Sequence, residues 1–311
     1  MKLLTFIEPK TNSDPGTPRV GALLGTEYVL DFERTVPDKG ARASVNLLDW
    51  FDLDSSLLRQ ARTVYEKFAK AGRSDIEAAL DDQRILKIEQ TRVLAPVPNP
   101  EKVICIGLNY RDHAAESKMP VPERPVVFSK FSSSVIASGD PVVLPASSAQ
   151  VDYEAELAVV IGRHCKGVRA NRAFDYILGY TIINDVSARD FQFADGQWQR
   201  GKSCDTFAPL GPFITTTDEV SDPHKLSIKM RLNGKTMQDS NTNQLIFGVP
   251  ELVEFLSETI TLKPGDIIAT GTPPGVGFAR KPPVFLQPGD VMEVEIEKLG
   301  ILRNSVMLQP S

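Results

Sequence analysis

Two glutamates one residue apart, Glu154 and Glu156, stand at the head of the apolar run Leu157-Ala158-Val159-Val160-Ile161. Alternate residues of a β-strand share a face, so this spacing aims both carboxylates the same way, close together. Like charges held so near each other repel unless water or a positive charge lies against both. A third acid, Asp185, follows a second apolar run, Ile177 to Ile183, which also reads as a strand. Three carboxylates on two core strands, with no basic residue beside them in sequence, suit a hard cation such as Mg²⁺. The pattern equally fits an edge strand with one wet face, because Val151, Tyr153, Ala155 and Leu157 alternate with Asp152, Glu154 and Glu156. Spacing alone leaves both readings open.

The chain has three histidines. His113 lies in Gly107-Leu108-Asn109-Tyr110-Arg111-Asp112-His113-Ala114-Ala115-Glu116, just after an apolar strand. If Asp112 to Ser117 forms one helical turn, His113 and Glu116 share a face at i, i+3. A carboxylate beside an imidazole orients it and raises its basicity, so the pair can act as a general base; the plainer alternative is a pair on a helix surface. His164 and His224 fall in turn-like segments, the first expected to face solvent and the second to lack an acidic partner. No His or Cys pair has the spacing of a zinc site. Lys202 is flanked by Gly201 and Ser203, which would let it approach a ligand, although most lysines in such a context are surface residues. Cys204 has no neighbouring histidine and is discounted as a nucleophile. The loop Thr270-Gly271-Thr272-Pro273-Pro274-Gly275-Val276-Gly277 could cradle an anion or simply bound a barrel, and it lacks a P-loop ending. Neither a Gly-x-Ser-x-Gly elbow nor a dinucleotide fingerprint is present.

The elements that must hold these residues are mostly strands. Val103–Gly107, Pro125–Phe128, Leu157–Gly162, Tyr176–Asn184, Leu226–Leu232, Asp266–Thr270 and Val291–Glu297 read as strands, and Asn233-Gly234 signals a hairpin. Pro250–Ser257 reads as a short helix with Pro in its first turn. Residues 1–95 differ: a short strand at Phe6-Ile7, a hairpin around Gly25-Thr26-Glu27, and a helix whose face is Leu57, Leu58, Ala61, Val64, Tyr65 and Phe68, with Gly72 as its stop. A weaker helix, Ser74–Leu80, and a strand near Ile85–Ile88 follow. Pro96, Pro98 and Pro100 forbid a helix and mark 96–100 as an extended connector between a small N-terminal domain and a main domain over 101–311. The expected fold is mainly β (α+β), a barrel or roll.

With 311 residues, 41% of them hydrophobic, the chain can bury a large core. A net charge of −5 with scattered basic residues argues against nucleic acid. Three widely spaced cysteines suit a reducing cytosol or similar compartment rather than a disulfide framework. No signal or transit peptide is evident, and no segment is apolar enough to span a bilayer, so a cytoplasmic protein without membrane contact is expected.

The runs Gly107-Leu108-Asn109-Tyr110 with His113 and Glu116, Asp152-Tyr153-Glu154-Ala155-Glu156-Leu157, and Asn184-Asp185-Val186-Ser187-Ala188-Arg189-Asp190 resemble the fumarylacetoacetate hydrolase superfamily. Gly201-Lys202-Ser203 and Thr270-Gly271-Thr272-Pro273 extend the match in the family's order. Asp239–Asn243 and Arg280–Leu286 are similar to the domain-containing protein 2 branch of that superfamily. The resemblance implies a mixed β-sandwich roll, usually homodimeric, with a mitochondrial matrix location as an alternative to the cytoplasm. It implies Mg²⁺ or Mn²⁺ on Glu154, Glu156 and Asp185, and a His113–Glu116 dyad on a lid. It further implies that Lys202 assists at the substrate, while Lys130, Gln192 and Thr272 contact it. Leu108 stands where smaller acylpyruvate-hydrolysing relatives carry Arg, and Phe131 where many carry Pro, which puts the distal end of the substrate in question.

The chemistry implied is that of a small 2-oxo or 2,4-dioxo acid chelated by the metal and passing through an enolate. C–C hydrolysis of an acylpyruvate-type substrate is the first expectation. Oxaloacetate keto–enol tautomerisation and oxaloacetate decarboxylation are alternatives on the same site. A member that kept the fold and lost turnover is the alternative of another class.

Overall fold

A computed structural model describes residues 1–9, 16–37, 46–116, 120–194 and 196–309. Its backbone is a long twisted sheet of twelve strands faced by a second sheet of five. The strands Ala155–Ile161 and Ile177–Asn184 pair antiparallel at the centre of the long sheet, and every residue in both is buried. That burial excludes the wet-edge reading of Glu154 and Glu156. A strand covered on both faces is apolar without a break, which is how Leu157 to Ile161 reads.

The two faces of these strands feed separate cores. Leu157, Val159 and Ile161 pack with Ile228, Met230, Met292, Val294 and Leu302 of the five-stranded sheet. Ala158, Val160, Leu178 and Ile183 pack instead with Leu3, Trp50, Leu57, Leu58 and Phe68 from the N-terminal part. The N-terminal strand Lys2–Ile7 pairs antiparallel with Ala208–Thr216, which pairs in turn with Ile177–Asn184. The Pro-rich stretch thus separates two parts of the chain that share one sheet in space.

Local signals explain most elements. Asn233 and Gly234 both take left-handed backbone angles, as a tight hairpin between Ser227–Leu232 and Lys235–Asn241 requires. The helix Ser56–Ala69 is capped by the Ser55 side chain on the Leu57 N–H. Gly72 does not end it: the helix stops at Ala69, and Gly72 is the N-cap of the next helix, Arg73–Asp81. The helix expected over Pro250–Ser257 runs Val249–Thr259, and the Glu251 side chain accepts the Gly248 N–H at 2.7 Å at its start.

Candidate metal-binding active site

Sheet register brings the acids together. Ala155 pairs with Asn184, so Asp185 lies across from Glu154, and the Asp185 N–H donates to the Glu154 carbonyl at 2.9 Å. The Asn184 side chain accepts from the Glu154 N–H at 3.0 Å, fixing the turn into the strand. One carboxylate oxygen from each of Glu154, Glu156 and Asp185 lies within 4.8 Å of the others, and all three residues are buried.

Three cations line up against this cluster, but not evenly. Lys202 Nζ donates to Glu154 at 2.7 Å and Asp185 at 2.9 Å. Lys130 Nζ donates to the other Asp185 oxygen at 2.5 Å and to the Val186 carbonyl at 3.0 Å. Arg189 pairs with Glu154 at 2.7 Å and with Asp152 at 2.9 Å. Burial opposes the charge on Glu154, yet Lys202 and Arg189 outweigh it and hold its carboxyl well below the usual range. Glu156 has no ion pair among the described residues; it accepts one backbone N–H, from Gly271 at 2.8 Å. Burial, then the charges of Asp185 and Glu154, push its carboxyl well above the ordinary value. Gly271 takes a positive φ of 102° at a point where a Cβ would strike Asn109, so only glycine aims its N–H this way. A buried carboxylate without a cation, beside two others, is the arrangement a divalent ion would complete, and the all-oxygen donor set suits Mg²⁺ or Mn²⁺.

His113 sits on the helix Arg111–Glu116, buried, with Nδ1 3.3 Å from Glu116 Oε2. Ser117, expected in the same turn, lies outside the described residues. Glu116 accepts the Gly275 N–H at 3.1 Å, and Ser240 donates to Asp112 at 2.6 Å, so the short helix is tied to the Gly275 loop and to the strand Lys235–Asn241. His113, Glu116, Glu154, Glu156, Lys202, Gln192 and Thr272 line one cavity of about 400 Å³. Lys130 does not: it is buried behind Asp185, with two N–H groups committed, and it holds the carboxylate rather than lining that cavity. Thr272 donates its hydroxyl to the Ala155 carbonyl at 2.9 Å and accepts from Gln238 at 2.8 Å. His164 is exposed as expected. His224 does have an acidic neighbour, Asp222 at 3.3 Å, and its Nε2 accepts the Val249 N–H, which makes it a helix cap.

Arg189 and Asp152 are the site residues that spacing gave no reason to single out. Asp152 accepts from the N–H groups of Gly277 at 2.7 Å and Phe278 at 3.0 Å as well as from Arg189. Arg189 also donates to Gln192 Oε1 at 2.9 Å. Asp152, the first acid of the Asp152-Tyr153-Glu154-Ala155-Glu156 alternation, was the available signal, since its wet-face reading fails once the strand is covered.

The Fumarylacetoacetate (FAA) hydrolase C-terminal family model matches residues 102–307. The mitochondrial oxaloacetate tautomerase fahd2 of Xenopus laevis is 44% identical over 99% of this chain and 90% of its own length. The chain belongs to the fumarylacetoacetate hydrolase family. Within it, these similarities put it in the domain-containing protein 2 branch. Among solved structures of the family, a fumarylacetoacetate hydrolase from psychrophilic Exiguobacterium antarcticum superposes with a TM-score of 0.79 at 34% identity, covering 99% of this chain and all of that one. A maleylpyruvate hydrolase from Sphingobium sp. SYK-6, in complex with manganese(II) and pyruvate, gives 0.73 at 32% identity over the whole of both chains. The mixed α+β fold is that of this family's solved structures, and the family relatives are tautomerases, isomerases and hydrolases.

Proposed function

We propose that this chain is a divalent-metal-dependent enzyme that interconverts the keto and enol forms of a small 2-oxo acid, with oxaloacetate as its first candidate substrate. The observation that carries this reading is the end-to-end similarity to the Xenopus laevis tautomerase. It moves C–C hydrolysis, the first expectation from sequence, to second place, where the Exiguobacterium antarcticum hydrolase keeps it. Tautomerisation also asks less of the site. It needs a base for a proton at C3 and a donor at the 2-oxo oxygen, whereas hydrolysis needs an activated water beside a second carbonyl as well.

Mg²⁺ or Mn²⁺ held by Glu154, Glu156 and Asp185 would supply Lewis-acid polarisation of the 2-oxo acid. The protein's own groups do the rest. His113 turns Nδ1 to Glu116, which leaves Nε2 to take the proton at C3. The Gly275 N–H fixes Glu116, so the orientation of the imidazole is set through backbone. Lys202 keeps a third N–H beyond the two it gives to Glu154 and Asp185. With its Oε1 on Arg189, Gln192 can turn its amide N–H₂ to a substrate oxygen. Thr272, whose hydroxyl proton is on Ala155, can only accept there. The Xenopus laevis relative is mitochondrial by name, and the free Cys105, Cys165 and Cys204 suit the matrix or the cytosol alike.

The test follows the absorbance of enol-oxaloacetate with Mg²⁺-loaded protein, with and without EDTA, beside an acylpyruvate. Metal-dependent acceleration of enol–keto exchange with no loss of oxaloacetate is expected. Acceleration that persists unchanged in EDTA would sink the metal assignment. Pyruvate released from the acylpyruvate, with enol-oxaloacetate untouched, would return hydrolysis to first place, and loss of oxaloacetate as CO₂ would indicate decarboxylation.

A further inference from the structure

The cavity is larger and less polar than oxaloacetate requires. Oxaloacetate has nine non-hydrogen atoms, whereas about 400 Å³ falls in the range of pockets that enclose drug-sized ligands. Its floor is charged and buried, at Glu154, Glu156 and Lys202. Four aromatic rings line the cavity as well. Phe128 and Trp198 meet edge to face at 5.3 Å, and Phe193 and Phe278 lie 5.9 Å apart at 59°. Phe193 is 56% exposed, which sets this second pair at the mouth.

This wall is held in place rather than loosely draped. Gly107 has no Cβ where one would stand 2.8 Å from the Trp198 ring, so the indole packs directly against the strand end. Phe278 is pinned by its N–H on Asp152 and by the Arg189 guanidinium 4.4 Å above its ring. The cations that line the cavity, Arg189 and Lys202, are both committed to carboxylates at the floor. A carboxylate held at the outer wall would face rings rather than a cation. A flat uncharged ring would instead cover Phe193 and stack against rings already in position.

We propose that the outer cavity is a subsite for an aromatic tail, so that the enzyme takes 2-oxo acids bearing an aryl group on C3, in addition to oxaloacetate. The proposal rests on the 2-oxo acid reading above. The reaction is the same isomerisation: one C3 proton leaves, one proton is gained by the 2-oxo oxygen, and no co-reactant is needed.

Phenylpyruvate and pyruvate are the probes, differing by one phenyl ring. Binding to the Mg²⁺-loaded full chain is read by tryptophan fluorescence, because Trp198 lines the cavity while Trp50 is buried in the far core. Phenylpyruvate is expected to bind about tenfold tighter than pyruvate or better, the scale of burying a phenyl group. It should also lose its enol absorbance faster than without enzyme. Phe193→Ala should bring the ratio of the two dissociation constants close to one, and Phe193→Tyr, which keeps a ring, should restore it. The ratio separates this effect from misfolding, which weakens both ligands together. Equal, metal-dependent binding of the two probes would overturn the aryl subsite and leave the 2-oxo acid site standing. Failure of pyruvate, phenylpyruvate and oxaloacetate alike to bind would overturn both.

Discussion

The carboxylate floor and the His113 wall of the cavity are built in different ways. Glu154, Glu156 and Asp185 hang on two central strands whose residues are all buried and whose ladder runs from Ala155 to Ile161. His113 rides on a helix of six residues, too short to be stable alone, and is placed by side-chain tethers: Ser240 to Asp112, Gly275 to Glu116, and Arg111 to the Leu245 carbonyl. The floor is positioned by the same contacts that fold the protein, while the base is positioned by a few bonds that can open separately. Holding the ligand and moving the proton are therefore separable, and substitutions should break one without the other.

The largest break is at the base. His113→Ala should lower kcat for enol-oxaloacetate by about 10²–10⁴-fold, the usual weight of a general base. Mg²⁺ affinity by calorimetry should stay as in the parent protein. If the metal affinity fell in step with kcat, floor and wall would be one unit and the comparison would fail.

Next comes the floor. Glu156→Gln should weaken Mg²⁺ binding by roughly a hundredfold or more, at or beyond the upper end of what residues that merely support a ligand contribute. Its effect on the metal-free protein has the opposite sign. Burial and the neighbouring Asp185 and Glu154 disfavour the Glu156 charge, so an isosteric neutral amide relieves a repulsion. Melting curves should show an unchanged or higher midpoint without metal and a smaller gain on adding Mg²⁺. A lower midpoint without metal would mean that Glu156 holds the fold, not the ion.

How far the sequence announces these regions follows from the same difference. The floor strands are legible because continuous burial writes a continuous apolar run, and the acids interrupt it at fixed spacing. The strand Ala208–Thr216 is not legible, although it joins the N-terminal part to the central strands. Pro209, Gly211 and Pro212 lie inside it and read as a loop. Its pairing of Thr215 with Lys2 crosses most of the chain, which no local pattern records. Lys130 and Arg189 look like surface residues for a related reason: only the assembled cluster supplies the carboxylates that let a cation be buried. The His113–Glu116 spacing is readable, but the tethers that place it come from Ser240 and Gly275, far along the chain.

The smallest effect tests those tethers. Ser240 donates to Asp112 at 2.6 Å across the gap between the hairpin strand Lys235–Asn241 and the helix that carries His113. Ser240→Ala removes that bond while leaving the helix, the dyad and the carboxylates chemically intact. A hydrogen bond to a charged group contributes about 1.5–3 kcal/mol, but Asp112 is partly exposed and water can replace part of it. The helix should therefore spend more time away from the floor, and kcat should fall by several-fold, up to about tenfold. Because no floor contact changes, Mg²⁺ affinity should hold, and Ser240→Thr, which restores the hydroxyl, should recover most of kcat. A loss of metal affinity equal to the loss in kcat would show that the helix and the floor move together, and that the base is not held separately after all.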